Sequence, residues 1–171
     1  MAPRPLTIAF VALGSNSGDT QGNVRKAIDR LQALSTAPLL RSSLWETNPV
    51  DCPPGSPTFI NAVIGLGPLP GETPESLLAK LQALEREFKR EPKRILNEPR
   101  PLDLDLLLFG NLTRASPQLT LPHPRAHIRR FVLEPLCEIA SDLVFPGRKK
   151  TVAELLNALP LDQTTRKLSV P

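Results

Sequence analysis

The sequence predicts an α+β fold in which two helices cover one face of an antiparallel sheet and further helices follow. Three observations carry this. Apolar or alternating segments suited to strands occur at about 5–13, 39–47, 59–66 and within 100–110, bounded by Gly, Pro and Asn turn signals. Between the first and second, and between the third and fourth, apolar residues recur at three- and four-residue intervals, the helical period. The resulting order, β-α-β-β-α-β, is that of a split βαβ unit.

Each element has its own signal. Leu6-Thr7-Ile8-Ala9-Phe10-Val11-Ala12-Leu13 faintly resembles a secretion signal, but the run is short and leads straight into Gly14-Ser15-Asn16-Ser17-Gly18. A buried first strand over about 5–13, ending in a turn, is the better reading. Val24, Ala27, Ile28, Leu31 and Leu34 then fall on one face of a helix. Residues 39–47 read as a strand, and the Pro-rich stretch from Asn48 to Pro57 as a long irregular connection. Phe59 to Leu66 is the third strand.

Thr73 as N-cap and Pro74 at the first helical position open a second helix, with Leu77, Leu78, Leu81, Leu84 and Phe88 as its buried stripe. It should stop before Pro92, because the residue preceding proline is pushed out of the α region. A charged loop at 90–101 leads into the fourth strand. This is the ferredoxin-like arrangement. Beyond it, Leu119-Thr120-Leu121-Pro122-His123-Pro124 precedes a helix around 131–140 and a last one near 151–158.

A chain of 171 residues, 40% hydrophobic, suits one domain spanning 1–171 with a substantial core. Its 20 prolines mark loops without making any long segment low-complexity, and no internal repeat is visible. The net charge of +4 favours an anionic partner without separating nucleotide from nucleic acid. Two cysteines, Cys52 and Cys137, exclude a disulfide framework or a Cys-rich metal site and suit a reducing cytoplasm. No stretch is long enough to span a membrane as a helix.

The chemistry concentrates in Arg100-Pro101-Leu102-Asp103-Leu104-Asp105-Leu106. Strand side chains alternate between faces, so Asp103 and Asp105 share one, with Cα atoms roughly 7 Å apart. Like charges side by side on a strand are costly unless something positive neutralises them. Mg²⁺ does so through carboxylate oxygens, and a paired metal site can clamp a phosphate undergoing displacement. The competing reading is an exposed strand face balanced by nearby basic residues. Arg86, Lys89, Arg90, Lys93, Arg94 and Arg100 cluster just before the strand, some solvating the helix end and favouring its dipole. Arg100 is close enough to reach a metal-held phosphate, whose oxygens suit a guanidinium fork. His123 could donate to a phosphate or cap a turn. Asn61, flanked by apolar residues, reads as a hydrogen-bonded core residue.

Four segments in order resemble the 6-hydroxymethyl-7,8-dihydropterin pyrophosphokinases of folate biosynthesis: Ala12-Leu13-Gly14-Ser15-Asn16, Phe59-Ile60-Asn61-Ala62, Arg100 to Asp105, and Leu121-Pro122-His123-Pro124-Arg125 with Arg129 and Phe131. The resemblance spans about residues 6–147 and implies a ferredoxin-like fold. It implies a transferase that moves the β,γ-pyrophosphate of ATP to the pterin hydroxymethyl group and releases AMP. Asp103 and Asp105 would bind two Mg²⁺ ions, with Arg90 and Arg100 as catalytic cations. Thr47, Pro49, Val50, Phe59, Asn61 and Phe131 would form the pterin pocket, the two phenyl rings stacking on the heterocycle. Gln82, Glu85, Arg100, Leu106, Thr120, His123 and Arg129 would line the ATP site.

The chain departs from some relatives, which carry a tryptophan and an additional arginine in the loop before the acidic strand, in having Asn97 and Pro92 there, and Glu98 in place of a more usual glycine. The implied protein is a cytoplasmic monomer with small-molecule substrates, no nucleic-acid partner and no membrane association. Two other classes fit parts of the pattern. A single-stranded RNA-binding module would stack bases on sheet aromatics, though the chain lacks tyrosine and any basic-aromatic recognition signature. A two-metal nucleotidyltransferase or cyclase would use the same Asp-x-Asp strand and release pyrophosphate instead of AMP.

Overall fold

Apolar side chains on both faces place the first strand at the centre of the sheet. In the computed structural model, which describes residues 7–48, 55, 57–88, 101–161 and 165–168, β1 (Ala9–Ser15) sends Ala9, Val11 and Leu13 into one core and Phe10 into another. It continues past its expected end at Leu13, so Gly14 and Ser15 belong to the ladder and not to a turn. α1 (Thr20–Leu31) is capped by the Asp19 carboxylate, which accepts the Gly22 N–H at 3.1 Å. It buries Val24, Ala27, Ile28 and Leu31.

The single strand expected at 39–47 is two, β2 (Leu40–Arg41) and β3 (Trp45–Thr47). The break has a local cause. Ser42 donates its N–H to the Val63 carbonyl (3.0 Å) and accepts the Val63 N–H on its own hydroxyl (2.9 Å), so a side chain replaces a ladder acceptor. β4 (Phe59–Leu66) has the expected bounds. α2 (Pro74–Phe88) starts where Thr73 Oγ1 accepts the Ser76 N–H at 3.1 Å and buries Leu77, Leu81 and Leu84.

β5 (Asp103–Phe109) completes the split βαβ unit. A two-stranded hairpin of β6 (Arg114–Ala115) and β7 (Thr120–Leu121) follows. Then come α3 (Arg130–Ala140) and α4 (Val152–Ala158), the latter opened by a reciprocal Thr151–Glu154 capping box. β8 (Thr165–Lys167) pairs with β3 and has no counterpart among the expected elements.

The sheet order is β5-β1-β4-β3-β8, with β2 also on β4 and every pairing antiparallel. Leaving out the additions, this is the ferredoxin-like order expected. One core lies between the sheet and α1 and α2, and includes Leu13, Leu31, Ile64, Leu81 and Leu104. The second lies on the opposite face and joins Phe10, Val63 and Leu107 to Leu133, Leu136 and Phe145. α3 packs across β4 there and against α4. Among the described residues no helix is long and apolar enough to cross a membrane.

Candidate active site

The register sets the site. Directly paired residues lie on one face, and Asp103 opposes Gly14, Gly14 opposes Asn61, and Asn61 opposes Trp45. These four therefore form a row across β5, β1, β4 and β3 on the α3 side, the side opposite Leu104, which is in the α1–α2 core. Asp105 stands on the same face beside Asp103, opposite Ala12, so the sequence expectation of two carboxylates on one face is met in register. Both are half-buried and engaged in interactions with their surroundings.

Asn61 is 7% exposed and Thr47 is 5% exposed. The Asn61 Nδ2 donates to Thr47 Oγ1 at 2.7 Å, which fixes the carboxamide and directs its oxygen toward β1. A Cβ on Gly14 would stand 3.0 Å from Asn61 Oδ1 and 3.9 Å from Phe59 Cδ1. Gly14 is thus required by close approach of the neighbouring strand's side chains, and it leaves the floor of the row bare. Phe59 pairs with Thr47 and is half-buried on the same face.

The second wall comes from the segment leading into α3. The Leu121–Pro122 bond is cis, and His123 donates its backbone N–H to the Leu107 carbonyl of β5 at 2.9 Å. The imidazole Nδ1 accepts the Arg125 N–H at 3.1 Å, which places the neutral ring's proton on Nε2. Burial, aided by the Arg129 and Arg125 charges and opposed by Asp103, pushes the His123 pKa down to about 4. His123 is accordingly a neutral Nε2–H donor near neutral pH. Arg129 also lies with its guanidinium carbon 5.4 Å from the Phe131 ring centroid, a cation–π distance. It therefore stands between the Phe131 ring and the His123–Asp103 corner.

The remaining expected site residues distribute unevenly. Glu85 on α2 accepts the Leu104 N–H at 3.0 Å, between the two aspartates in sequence. Gln82, one turn earlier, is exposed, as is Thr120 on β7. Leu106 is 4% exposed, its side chain in the α1–α2 core and away from the face that carries Asp103 and Asp105. Pro49, Val50, Arg90 and Arg100 lie outside the described residues.

Comparison with known proteins decides the family. The model of the 7,8-dihydro-6-hydroxymethylpterin-pyrophosphokinase family matches residues 10–141. The chain belongs to this family. Among curated members, it is 39% identical over 152 residues to the 2-amino-4-hydroxy-6-hydroxymethyldihydropteridine pyrophosphokinase of Haemophilus influenzae, covering 86% of this chain and 90% of that one. It is 37% identical over 158 residues to the enzyme of the same name from Pseudomonas aeruginosa, covering 92% and 94%.

Among solved structures, a wild-type Plasmodium falciparum HPPK-DHPS chain crystallised with pteroate superposes with a TM-score of 0.68 at 14% identity. That match covers 92% of this chain and 43% of the other, so this chain spans less than half of that bifunctional protein. At such identity the likeness is one of fold. Family membership makes the chain a pyrophosphokinase and sets aside an RNA-binding module.

Residues that sequence reasoning did not place in the site are Gly14 as a floor, Arg125 as the group that sets the His123 tautomer, and Trp45, Ser43 and Glu138 at the β3 end of the row. A glycine embedded in an apolar strand is the one signal that was available for Gly14. Among the described residues there is no group of three or more His, Cys, Asp or Glu placed to hold a metal. A pair of carboxylates fits Mg²⁺, which keeps most of its shell as water and phosphate oxygen and seldom takes an all-protein cage.

Proposed function

We propose that this site transfers the β,γ-pyrophosphate of ATP to the hydroxymethyl oxygen of 6-hydroxymethyl-7,8-dihydropterin, in folate biosynthesis. The pterin oxygen bonds to the β-phosphorus and loses its proton. The bond from that phosphorus to the α,β-bridging oxygen breaks, and AMP leaves with the oxygen. The observation that supports this most is the joined architecture of the row. A bare floor at Gly14 lies between a fixed carboxamide and a carboxylate pair, and Arg129 stands at the boundary between the aromatic wall and the anion-binding corner.

The pterin lies on the Gly14 floor, its ring between Phe59 and Phe131, with the buried Asn61 and Thr47 presenting fixed polar groups to its edge. Offset stacking on two rings contributes about 0.5–1.5 kcal/mol for each beyond area burial. Asp103 and Asp105 would hold two Mg²⁺ ions, which when bound neutralise the polyphosphate and align attacking and leaving oxygens. Arg129 and the His123 Nε2–H hold phosphate oxygens, and Arg90 and Arg100 complete the cationic shell as catalytic residues. Glu85 fixes the edge of β5 and so holds the two aspartates at their spacing, with Gln82, Thr120 and the Leu106 backbone bordering the nucleotide.

Incubating the purified chain with ATP, Mg²⁺ and 6-hydroxymethyl-7,8-dihydropterin, and resolving the products, tests the assignment. Magnesium-dependent AMP with a diphosphorylated pterin is expected. Release of ADP or free pyrophosphate in its place overturns it.

A further inference from the structure

At the β3 end of the row, Trp45 joins a dense polar knot built on Glu138 of α3. Its Oε1 accepts the Trp45 Nε1–H at 2.6 Å and the Ser43 N–H at 3.1 Å. Its Oε2 accepts the Ser43 hydroxyl at 2.8 Å and lies 3.3 Å from Lys167 Nζ. A carboxylate offers about four lone-pair sites, so this one is saturated by donors from the β2–β3 connection, β3 and β8. Burial raises the Glu138 pKa, but hydrogen bonds from Trp45, Ser43 and Lys167 outweigh it and hold the carboxyl below its ordinary value.

The geometry connects this knot to the row. Phe131 and Glu138 are separated by two turns of one helix, so they share a face about 10 Å apart. Trp45 and Thr47 are two apart on β3 and share a face as well. Glu138 bonded to Trp45 therefore ties the helix face that carries Phe131 to the strand face that carries Thr47, the acceptor that fixes Asn61. At the N-terminal end of this helix its N-cap residue, Arg129, lies over the Phe131 ring and beside the His123 corner.

We propose that Glu138 is a positioning residue for the pterin pocket, setting the spacing between Phe131 on α3 and the Asn61–Thr47 pair on the sheet without touching substrate. This rests on the pterin assignment given above. A flat heterocycle fills a slot of fixed width, and a displacement near 1 Å is enough to cost up to about a hundredfold. The aspartates are carried by β5 at the opposite end of the row, so loss of the knot should affect pterin far more than ATP.

Steady-state kinetics of Glu138→Ala, Glu138→Gln, Trp45→Phe and Phe131→Ala test the inference. Glu138→Ala should raise KM for 6-hydroxymethyl-7,8-dihydropterin by about tenfold and leave KM for ATP within about twofold. Glu138→Gln should recover most of the loss, since its amide oxygen still accepts from Trp45 and Ser43. Trp45→Phe keeps the ring and removes one donor, so about a threefold rise is expected even if Glu138→Ala fails to fold. An unchanged pterin KM in both Trp45→Phe and Glu138→Ala, or an equal rise for ATP, overturns the positioning role; if Glu138→Ala does not fold, Trp45→Phe alone decides. Phe131→Ala separates the two layers: if it too leaves pterin binding intact, the pocket assignment itself falls.

Discussion

The two faces of the sheet differ in what covers them. On the α1–α2 face the inward residues of β1, β4 and β5 are apolar except the buried Ser15, and α1 and α2 pack over them. On the other face α3 and α4 cover an apolar patch around Phe10, Val63 and Leu107, and the same strands then present Asp103, Asp105, Gly14 and Asn61, with Thr47 beside them on β3. Alternation lets one strand serve both purposes, since successive residues are committed to opposite sides. The chemistry sits on a surface whose reverse is rigid. Loss of a functional side chain on one face should therefore leave folding intact, and loss of an apolar one on the other should do the opposite.

The largest effect expected is that of Asp103→Ala or Asp105→Ala, each lowering the rate of AMP release by about a thousandfold or more through loss of phosphate and metal positioning. Their thermal midpoints should move by less than about 3 °C, as for half-exposed positions without packing roles; a midpoint collapse would break the division between faces. Leu81→Ala, at a residue 0% exposed on α2, should lower unfolding free energy by about 2–5 kcal/mol in a denaturant titration. Its kcat at a temperature where it is folded should stay within about twofold of the parent. Gly14→Ala sharpens the comparison from inside the row. Asn61 is pinned by Thr47 and cannot give way easily, so the variant should lose about 1–3 kcal/mol from overpacking and show a raised pterin KM.

The smallest effect concerns His123, whose folded pKa of about 4 lies below the ordinary 6.5. The unfolded chain binds this proton more readily, so the neutral ring's contribution to stability is present above about pH 6.5 and is lost progressively as pH falls toward 4. Denaturant midpoints should drop over that window less steeply in His123→Gln than in the parent. Equal slopes would mean the ring is not held in its neutral form by its surroundings.

How much of this is legible in the sequence depends on whether the cause is local. β4 is read to the residue because Pro57 and Gly67 bracket a largely apolar run broken only by Asn61 and Gly65 after Thr58, and α2 because Thr73 and Pro74 mark its start. The division of 39–47 into two strands is not legible, because it follows from the Ser42 hydroxyl bonding to a strand far along the chain. β8 is Thr165-Arg166-Lys167, with no apolar signal at all, and only its pairing with β3 makes it a strand. Gly14 read as a turn because glycine after an apolar run usually is one; the carboxamide that demands it arrives from β4.

In the site, the shared face of Asp103 and Asp105 follows from strand period alone. Asn61 as a buried, hydrogen-bonded residue also follows from its neighbours, and the bond to Thr47 bears that out. Roles for Phe131 and Arg129 follow only from the family resemblance, and His123 is legible locally only as a phosphate donor or a turn cap, since their meeting depends on the packing of a segment that no local pattern describes.

The bonds along the outer side of β5 have a consequence for solubility. A seven-residue, leucine-rich strand at the end of a sheet is a template onto which another chain's strand can add. Here the Leu104 N–H is taken by Glu85 and the Leu107 carbonyl by the His123 N–H, while Asp103 and Asp105 set two negative charges along the strand. At the opposite side, among the described residues, β8 offers three residues, two of them cationic, and β2, which pairs only with β4, offers two. Both margins of the sheet are thus poor seeds for aggregation, and the residues that guard the β5 margin are the ones the proposed catalytic corner draws on.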